Sequence, residues 1–314
     1  MTYRTLGRSG IRVSAVALGC MTLGTDRARA QRIVSKALDL GVTLFDTADL
    51  YDRGVNEQIV GDALQSVRDK VVISTKVGNR VRSDASGWDW DPSEAYILQE
   101  VRESLRRLRT DYIDLYQLHG GTIDDPAEET VRAFERLLRD GVIRAWGISS
   151  IRPNVVRRFA DMAGSSAANL TSEMVQYSVL DRRPEEEILE TARRAGLGVL
   201  VRGAVASGLL TGTTGAKAGK PTSSAVAEYL GLASSEVQAA HDALRRVAGS
   251  EERMALTAIR FVLSHAAVTA VVAGASNEAQ VEANVAAADA PPLSEGEQRV
   301  LRAAVRQIQY TSHR

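Results

Sequence analysis

One feature limits the possible folds more than any other: short, almost wholly apolar segments recur along the chain, each followed by a stretch whose apolar residues have helical spacing. The apolar segments are 15–19, 42–45, 71–75, 112–118, 142–148, 172–179, 197–201 and 268–273. Helical patterns cover 27–40, 56–67, 94–108 after an N-cap at Ser93, 127–139, 153–162, 184–195, 251–264 and 277–288. Gly41, Gly141 and Gly196 punctuate the helix ends. Strands that are apolar throughout suit a parallel sheet buried on both faces, rather than a half-exposed antiparallel one. Eight such units predict a closed (β/α)8 barrel, the TIM-barrel architecture, as a single domain over 1–314. An open doubly wound sheet is the competitor, but no Gly-x-Gly-x-x-Gly follows the first strand. Residues 3–14 alternate around Gly7-Arg8-Ser9-Gly10 and predict a β-hairpin capping the start. An extra C-terminal helix is expected over 294–307. The segment 203–250 reads as a long barrel loop, with 211–224 expected to be mobile.

Several function classes are disfavoured. Lys plus Arg and Asp plus Glu are equal at 39 each, and no basic stripe stands out, so nucleic acid is not an expected partner. No apolar run approaches the roughly 20 residues of a membrane helix. Cys20 is the only cysteine, which rules out an intrachain disulfide and a cysteine-rich metal site. Gly219-Lys220 is not a phosphate-binding loop, since Thr214 stands where its first glycine belongs. The first residues lack the apolar core of a signal peptide, and a cytoplasmic location is expected. No feature of the chain sets an oligomeric state.

In an α/β barrel, chemistry sits at the C-terminal ends of the strands. Those ends carry Asp46, Lys76, His119, Ser149 and Arg202, with Tyr51 just beyond the second strand. Strands two, three and four thus end in titratable residues that converge on one rim. An ammonium beside a phenol stabilises the phenolate, and Asp46 can anchor Lys76 by a charge-assisted hydrogen bond. His119 can hydrogen-bond a carbonyl oxygen. Tyr51 is then a general acid for a carbonyl being reduced. The reductant must be a hydride cofactor, because no side chain supplies one. Asp46 and His119 have no further ligands for a metal at this rim.

With these residues in place, the chain resembles the aldo-keto reductases over essentially its whole length. The matching segments are Tyr3-Arg4-Thr5-Leu6-Gly7, Leu18-Gly19-Cys20-Met21-Thr22-Leu23-Gly24, Asp46-Thr47-Ala48 with Tyr51, and Ser74-Thr75-Lys76. They continue through Arg109 to His119, Gly147-Ile148-Ser149, and Gly274-Ala275-Ser276 with Asn284. The resemblance implies an NADP(H)-dependent reductase of aldehydes and ketones on a barrel, with the tetrad Asp46, Tyr51, Lys76 and His119 and with Tyr51 as proton donor. It implies a cofactor site drawn from Met21, Thr22, Asp46, Ser149, Ser150, Gln176, Arg202, Gly203, Val205, Gly208, Leu210, Gly274, Ser276, Gln280 and Asn284.

The chain also departs from the family pattern. Ser150 stands where Asn is usual after the serine. Met174 occupies the usual Gln position, and Gln176, two residues on and facing the same side of the strand, is expected to replace it. Arg202 stands where an aromatic usually stacks on the nicotinamide, and a planar guanidinium can also stack. No Lys or Arg lies in 272–280 to hold a 2′-phosphate. Ser276, Asn277 and a helix N-terminus remain for that role, with Gln280 and Asn284 toward the adenine. NADPH is the expected cofactor, with NADH possible.

Trp88, together with Tyr51 and His119, is the candidate contact for a small-molecule carbonyl substrate. Trp90 shares its loop, and Trp146 should face the helices as core. Asp49 and Asn56 read as loop structure, and Arg102, Arg106, Arg107 and Arg109 as a solvated helix face. Two rivals to the reductase stand: a cofactor-binding regulatory or redox-sensing protein on the same fold with little turnover, and a Schiff-base aldolase using Lys76.

Overall fold

The computed structural model describes residues 1–82, 84, 86–165, 169–212 and 228–314. From residue 213 onward, the segment expected to be mobile lies outside the described residues. Eight strands form the barrel: β1 (Val16–Gly19), β2 (Leu44–Asp46), β3 (Val72–Val77), β4 (Ile113–Leu118), β5 (Ile143–Ser149), β6 (Leu170–Gln176), β7 (Gly198–Arg202) and β8 (Val268–Gly274). Each pairs in parallel with the next, and β8 returns to β1 through Val271 and Val16, closing the ring. The (β/α)8 barrel expected from the sequence is what the chain forms. The hairpin is also present, with Tyr3–Thr5 antiparallel to Arg12–Ser14.

Around the barrel run α1 (Arg27–Asp39), α2 (Val55–Leu64), α3 (Glu94–Leu108), α4 (Ala127–Arg139), α5 (Pro153–Ser165) and α6 (Ile188–Arg194). They are followed by α7 (Ser234–Ala248), α8 (Met254–Leu263), α9 (Glu278–Val285) and α10 (Glu295–Ala303). Ser93 caps α3 as expected, its hydroxyl accepting from the Tyr96 amide at 3.2 Å. Helix α7 belongs to the long loop after β7. None of the described helices is long and apolar enough to cross a membrane.

Some boundaries differ from the apolar pattern for local reasons. β6 ends at Gln176 rather than Val179, because the chain turns there: the Ser178 amide donates to the Asp181 carbonyl at 3.0 Å. Val179 and Leu180 are buried outside any strand, so apolarity alone overextends it. The helix expected over 184–195 splits into a 3-10 turn, Arg183–Glu186, and α6, because Glu187 leaves helical geometry at φ −154°.

The pleat decides what faces the site. Ala17, Leu44, Val72, Leu115, Ala145, Met174, Leu200, Ala270 and Val272 fill the barrel interior, together with Leu6 and Val13 from the hairpin. The hairpin therefore plugs one mouth. Gly7 makes this possible: at φ +51°, it lies so close to β6 that an added Cβ would be 2.3 Å from the Thr171 carbonyl. Because side chains alternate along a strand, inward positions toward the other mouth are Gly19, Asp46, Lys76, His119, Ser149, Gln176, Arg202 and Gly274. Trp146, out of phase with these, is buried against the helices and stacks on Phe134 with centroids 4.9 Å apart, as expected.

Candidate active site

The tetrad comes together at the C-terminal mouth. Lys76 is 1% exposed. Its ammonium donates to Asp46 Oδ1 at 2.5 Å and to the Thr47 carbonyl at 2.6 Å. The same ammonium lies beside Tyr51, with Nζ 5.1 Å from the Tyr51 ring centroid. Asp46 Oδ2 accepts from Ser74 at 2.8 Å, and Ser74 in turn accepts from Gln117 at 2.8 Å. Burial alone would lower the Lys76 pKa, but the Asp46 charge and then Tyr51 outweigh it and hold it above the ordinary lysine value. The ammonium therefore stays charged in a dry site.

His119 stands edge-on to Tyr51, with ring centroids 6.0 Å apart and planes at 84°. Its amide donates to the Val77 carbonyl at 2.8 Å, and Asn79 Nδ2 donates to its carbonyl at 3.0 Å. Burial, then the charges of Lys76 and Arg202, push its pKa down to about 3. The imidazole is neutral, and its Nδ1 is buried with no protein partner. This has a stability consequence. Below the ordinary histidine pKa near 6.5 the unfolded chain takes a proton that the folded one refuses, so stability is complete above about pH 6.5 and falls with pH down to about 3. Between pH 6.5 and 5.0 the urea-unfolding stability of the parent is expected to fall by about 1.6 kcal/mol more than that of His119→Asn. Equal pH slopes in the two proteins would refute it.

Tyr51 opens the 3-10 turn Tyr51–Gly54. Asp52 and Arg53 adopt left-handed φ of 47° and 55°, followed by Gly54 at 82°. Left-handed backbone costs a non-glycine residue about 1–2 kcal/mol, so this turn is held by its surroundings.

The remaining candidates line the same rim. Ser149 and Ser150 are buried at the end of β5, and Ser150 Oγ accepts from the Arg152 amide at 3.2 Å. Arg202 is exposed and donates to Gln176 Oε1 at 2.8 Å. Gln176 Nε2 donates to Asp181 Oδ2 at 3.0 Å, and Arg183 grips the buried Asp181 with two bonds of 2.8 Å. Gln176 is thus oriented from behind, while Met174 packs one layer lower, inside the barrel. Met21 is 61% exposed at the rim. Thr22 donates to the Ala275 carbonyl at 3.0 Å and stands over Gly274, where a Cβ would lie 3.0 Å from its hydroxyl. Gly203, before the short turn Ala206–Gly208, and Gly208, its last residue, both have positive φ. Val205 is partly buried and Leu210 fully so, leaving Leu210 only its backbone to offer. Ser276 donates from both its amide and its hydroxyl to Gln280 Oε1. Asn284 is buried, and its amide donates to the Gly274 carbonyl at 3.2 Å, tying α9 to the end of β8.

Three expectations need adjusting. The loop after β3 is a second hairpin, Asn79–Val81 against Trp88–Trp90. Trp88 stands outward, 49% exposed. Trp90 packs over Gly78 and Gly120, beside the ends of β3 and β4, and donates to Asp125 at 3.0 Å. Arg107 is not part of a solvated face: its side chain is 12% exposed and pairs with Glu57 and Glu100. The partners of Asp46 and Lys76, namely Ser74, Gln117 and the Thr47 carbonyl, went unrecognised, although Ser74 and Gln117 share the inward phase of Lys76 and His119. Among the described residues no cluster of three or more His, Cys, Asp or Glu side chains is placed to hold a metal ion.

The geometry has close counterparts. The family model "Aldo/keto reductase family" matches residues 15–306. The chain is 45% identical to the uncharacterized oxidoreductase YqkF of Bacillus subtilis over 100% of both chains. It is 32% identical to a probable voltage-gated potassium channel subunit beta of Oryza sativa, over 93% of each. Among solved structures, the holo form of aldo-keto reductase AKR11C1 from Bacillus halodurans superposes with a TM-score of 0.88 at 45% identity, covering 100% of this chain and 99% of that one. The glycerol dehydrogenase AKR11B4 from Gluconobacter oxydans superposes at 0.83 with 28% identity, over 96% and 94%. This chain belongs to the aldo/keto reductase family, oxidoreductases that act on carbonyls with a nicotinamide cofactor.

Proposed function

We propose that the protein reduces aldehyde or ketone carbonyls to alcohols with NADPH, accepting NADH as well, and that Tyr51 is the general acid. The observation that carries this reading is the charged ammonium of Lys76, bonded to Asp46 and the Thr47 carbonyl and lying beside Tyr51, facing a neutral His119. The Lys76 ammonium lies beside the phenol, so loss of the phenol's proton is favoured there. Tyr51 gives that proton to the carbonyl oxygen, and the adjacent ammonium stabilises the phenolate left behind. Asp46 keeps the ammonium charged and in place. With Nδ1 buried, Nε2 is the His119 nitrogen left to orient a carbonyl oxygen. When bound, the nicotinamide supplies the hydride that none of these side chains can.

The rim suits such a cofactor chemically. The Ser149 and Ser150 hydroxyls and Gln176 fit a carboxamide, and the guanidinium of Arg202, steadied by Gln176, offers a planar face to a ring. Met21, Thr22, Gly203, Val205, Gly208, Leu210 and Gly274 would border the rest, and Ser276, Gln280 and Asn284 the adenine end. Trp88 is a more distant candidate for the substrate. At the adenine end, the cation that the fold brings to the first turn of α9 is Arg32, and it is already paired with Glu278 at 3.1 Å. A charge-assisted hydrogen bond contributes about 1.5–3 kcal/mol, so a site resting on neutral donors is expected to favour NADPH over NADH by less than about 100-fold. Fluorescence titration with both cofactors checks this. A preference of about 1,000-fold or more, beyond what such donors supply, would mean that a cation reaches the phosphate.

The regulatory reading keeps one support: Met174 and Arg202 at cofactor positions, in a chain similar to a channel subunit beta. Steady NADPH oxidation with 4-nitrobenzaldehyde separates the two. Tight NADPH binding with no turnover across a broad aldehyde panel would favour regulation.

A further inference from the structure

Behind the Tyr51 turn lies a second buried charge cluster that the proton transfer does not use. Glu57, on α2, is fully buried. Its Oε2 accepts from Arg107 Nε at 2.6 Å, and its Oε1 from the hydroxyl of Thr75, the residue before Lys76, also at 2.6 Å. Arg107, on α3, also donates to Glu100 and to Ser104 Oγ. Its shaft passes directly beneath Gly54, where an added Cβ would stand 2.7 Å from Arg107 Cδ and 3.0 Å from Nε. On the other side of Tyr51, Asp49 accepts from the Leu50 amide at 2.6 Å, and the Asp49 amide donates to the Lys76 carbonyl at 3.4 Å. The second oxygen of Asp49 is buried without a partner. Burial, then the charges of Glu57 and Glu100, push the Asp49 carboxyl well above the usual carboxylate range.

Two facts converge on one role. Asp52, Arg53 and Gly54 are three consecutive positive-φ residues, a conformation that the local sequence does not favour and that an outside contact must hold. The side chain in contact under the last of them is Arg107, itself fixed through Glu57 and Thr75 to the strand that carries Lys76. We propose that the Arg107–Glu57 ion pair is a positioning device for Tyr51, seating the turn Tyr51–Gly54 at the height where the phenol meets the Lys76 ammonium. This rests on the reading of Tyr51 as the proton donor. Arg107 touches neither substrate nor cofactor rim and acts only through the turn.

Two variants test it. Gly54→Ala places a methyl against the Arg107 shaft at a left-handed position, and Arg107→Lys keeps the charge but loses the forked grip on Glu57 and Glu100. Each is to be measured for kcat, KM, cofactor Kd, urea stability and the Tyr51 component of the ultraviolet phenolate titration, obtained by difference against Tyr51→Phe. Since a misplacement of about 1 Å can cost about 100-fold, kcat is expected to fall about 10–100-fold in both. KM and cofactor Kd are expected to stay within about threefold, with the Tyr51 titration shifted. Parental kcat in a folded Gly54→Ala protein overturns the proposal. So does a fall in stability and activity together with an unmoved Tyr51 titration, which would mark the pair as purely structural. If Arg107→Lys does not fold, Gly54→Ala decides alone. A shifted titration in Gly54→Ala, combined with near-normal turnover of Tyr51→Phe, would uphold the positioning role while removing Tyr51 as the acid.

Discussion

Tyr51→Phe is expected to lower turnover by about 100- to 10,000-fold, the range that a positioned general acid contributes. Cofactor affinity should hardly change. The reason lies in the Lys76 ammonium, held beside the ring whose phenol oxygen carries the proton. Removing that oxygen deletes both the proton and the group whose departing charge the ammonium stabilises. The ring itself, 6.0 Å from His119, remains to fill the mouth. Single-turnover hydride transfer, with NADPH absorbance as the readout, checks this free of product release. Near-parental rates would show that the proton comes from elsewhere, with water or His119 next in line.

The second large effect is expected at Lys76 and separates stability from chemistry. Lys76→Met leaves Asp46, 4% exposed, holding only Ser74 and the distant Gln117 amide. Stranding one partner of a buried ion pair costs about 3–5 kcal/mol. Asp46→Asn strands the ammonium instead and should cost a similar amount. The double variant Asp46→Asn with Lys76→Met buries no charge at this point, so its loss should be smaller than the sum of the two single losses by at least about 1–2 kcal/mol. Activity should follow no such recovery: all three variants lack the charged ammonium beside Tyr51 or its anchor, and turnover should stay low in each. Additive stability losses would mean that the pair is not coupled. Recovered turnover in the double variant would mean that the ammonium is dispensable.

Asp46, Lys76 and His119 were legible as one constellation because two periodicities do most of the work. The strand–helix alternation says where strands end, and the two-residue pleat says which side of each end faces the mouth. The same logic exposed Gln176 as inward-facing once Met174 was, and Trp146 as outward-facing. It failed where a residue's surroundings come from distant parts of the chain. Arg107 sits in a run of arginines on a helix, and nothing local distinguishes it from Arg106. What buries it is Glu57 from one helix and Gly54 from a turn, about fifty positions earlier, together with Glu100 on its own helix. Trp88 and Trp90 are equivalent as loop tryptophans. The hairpin register, Asn79 opposite Trp90, places one of them over the rim glycines and leaves the other in solvent. Val179 and Leu180 look like strand because burial, not pairing, selects their apolarity.

The sequence by itself determined the closed barrel, the N-terminal hairpin, the strand-end positions of Asp46, Lys76 and His119 and the loop position of Tyr51, because burial and alternation act within a few residues of each position. Only the tertiary structure decided what restrains that tetrad. It closed two hydrogen bonds around the Lys76 ammonium beside Tyr51, dried His119 until its imidazole stays neutral, and set a buried ion pair beneath the strained turn that carries Tyr51. Those outcomes depend on desolvation and on contacts between residues far apart in the chain, and both exist only once the barrel is closed.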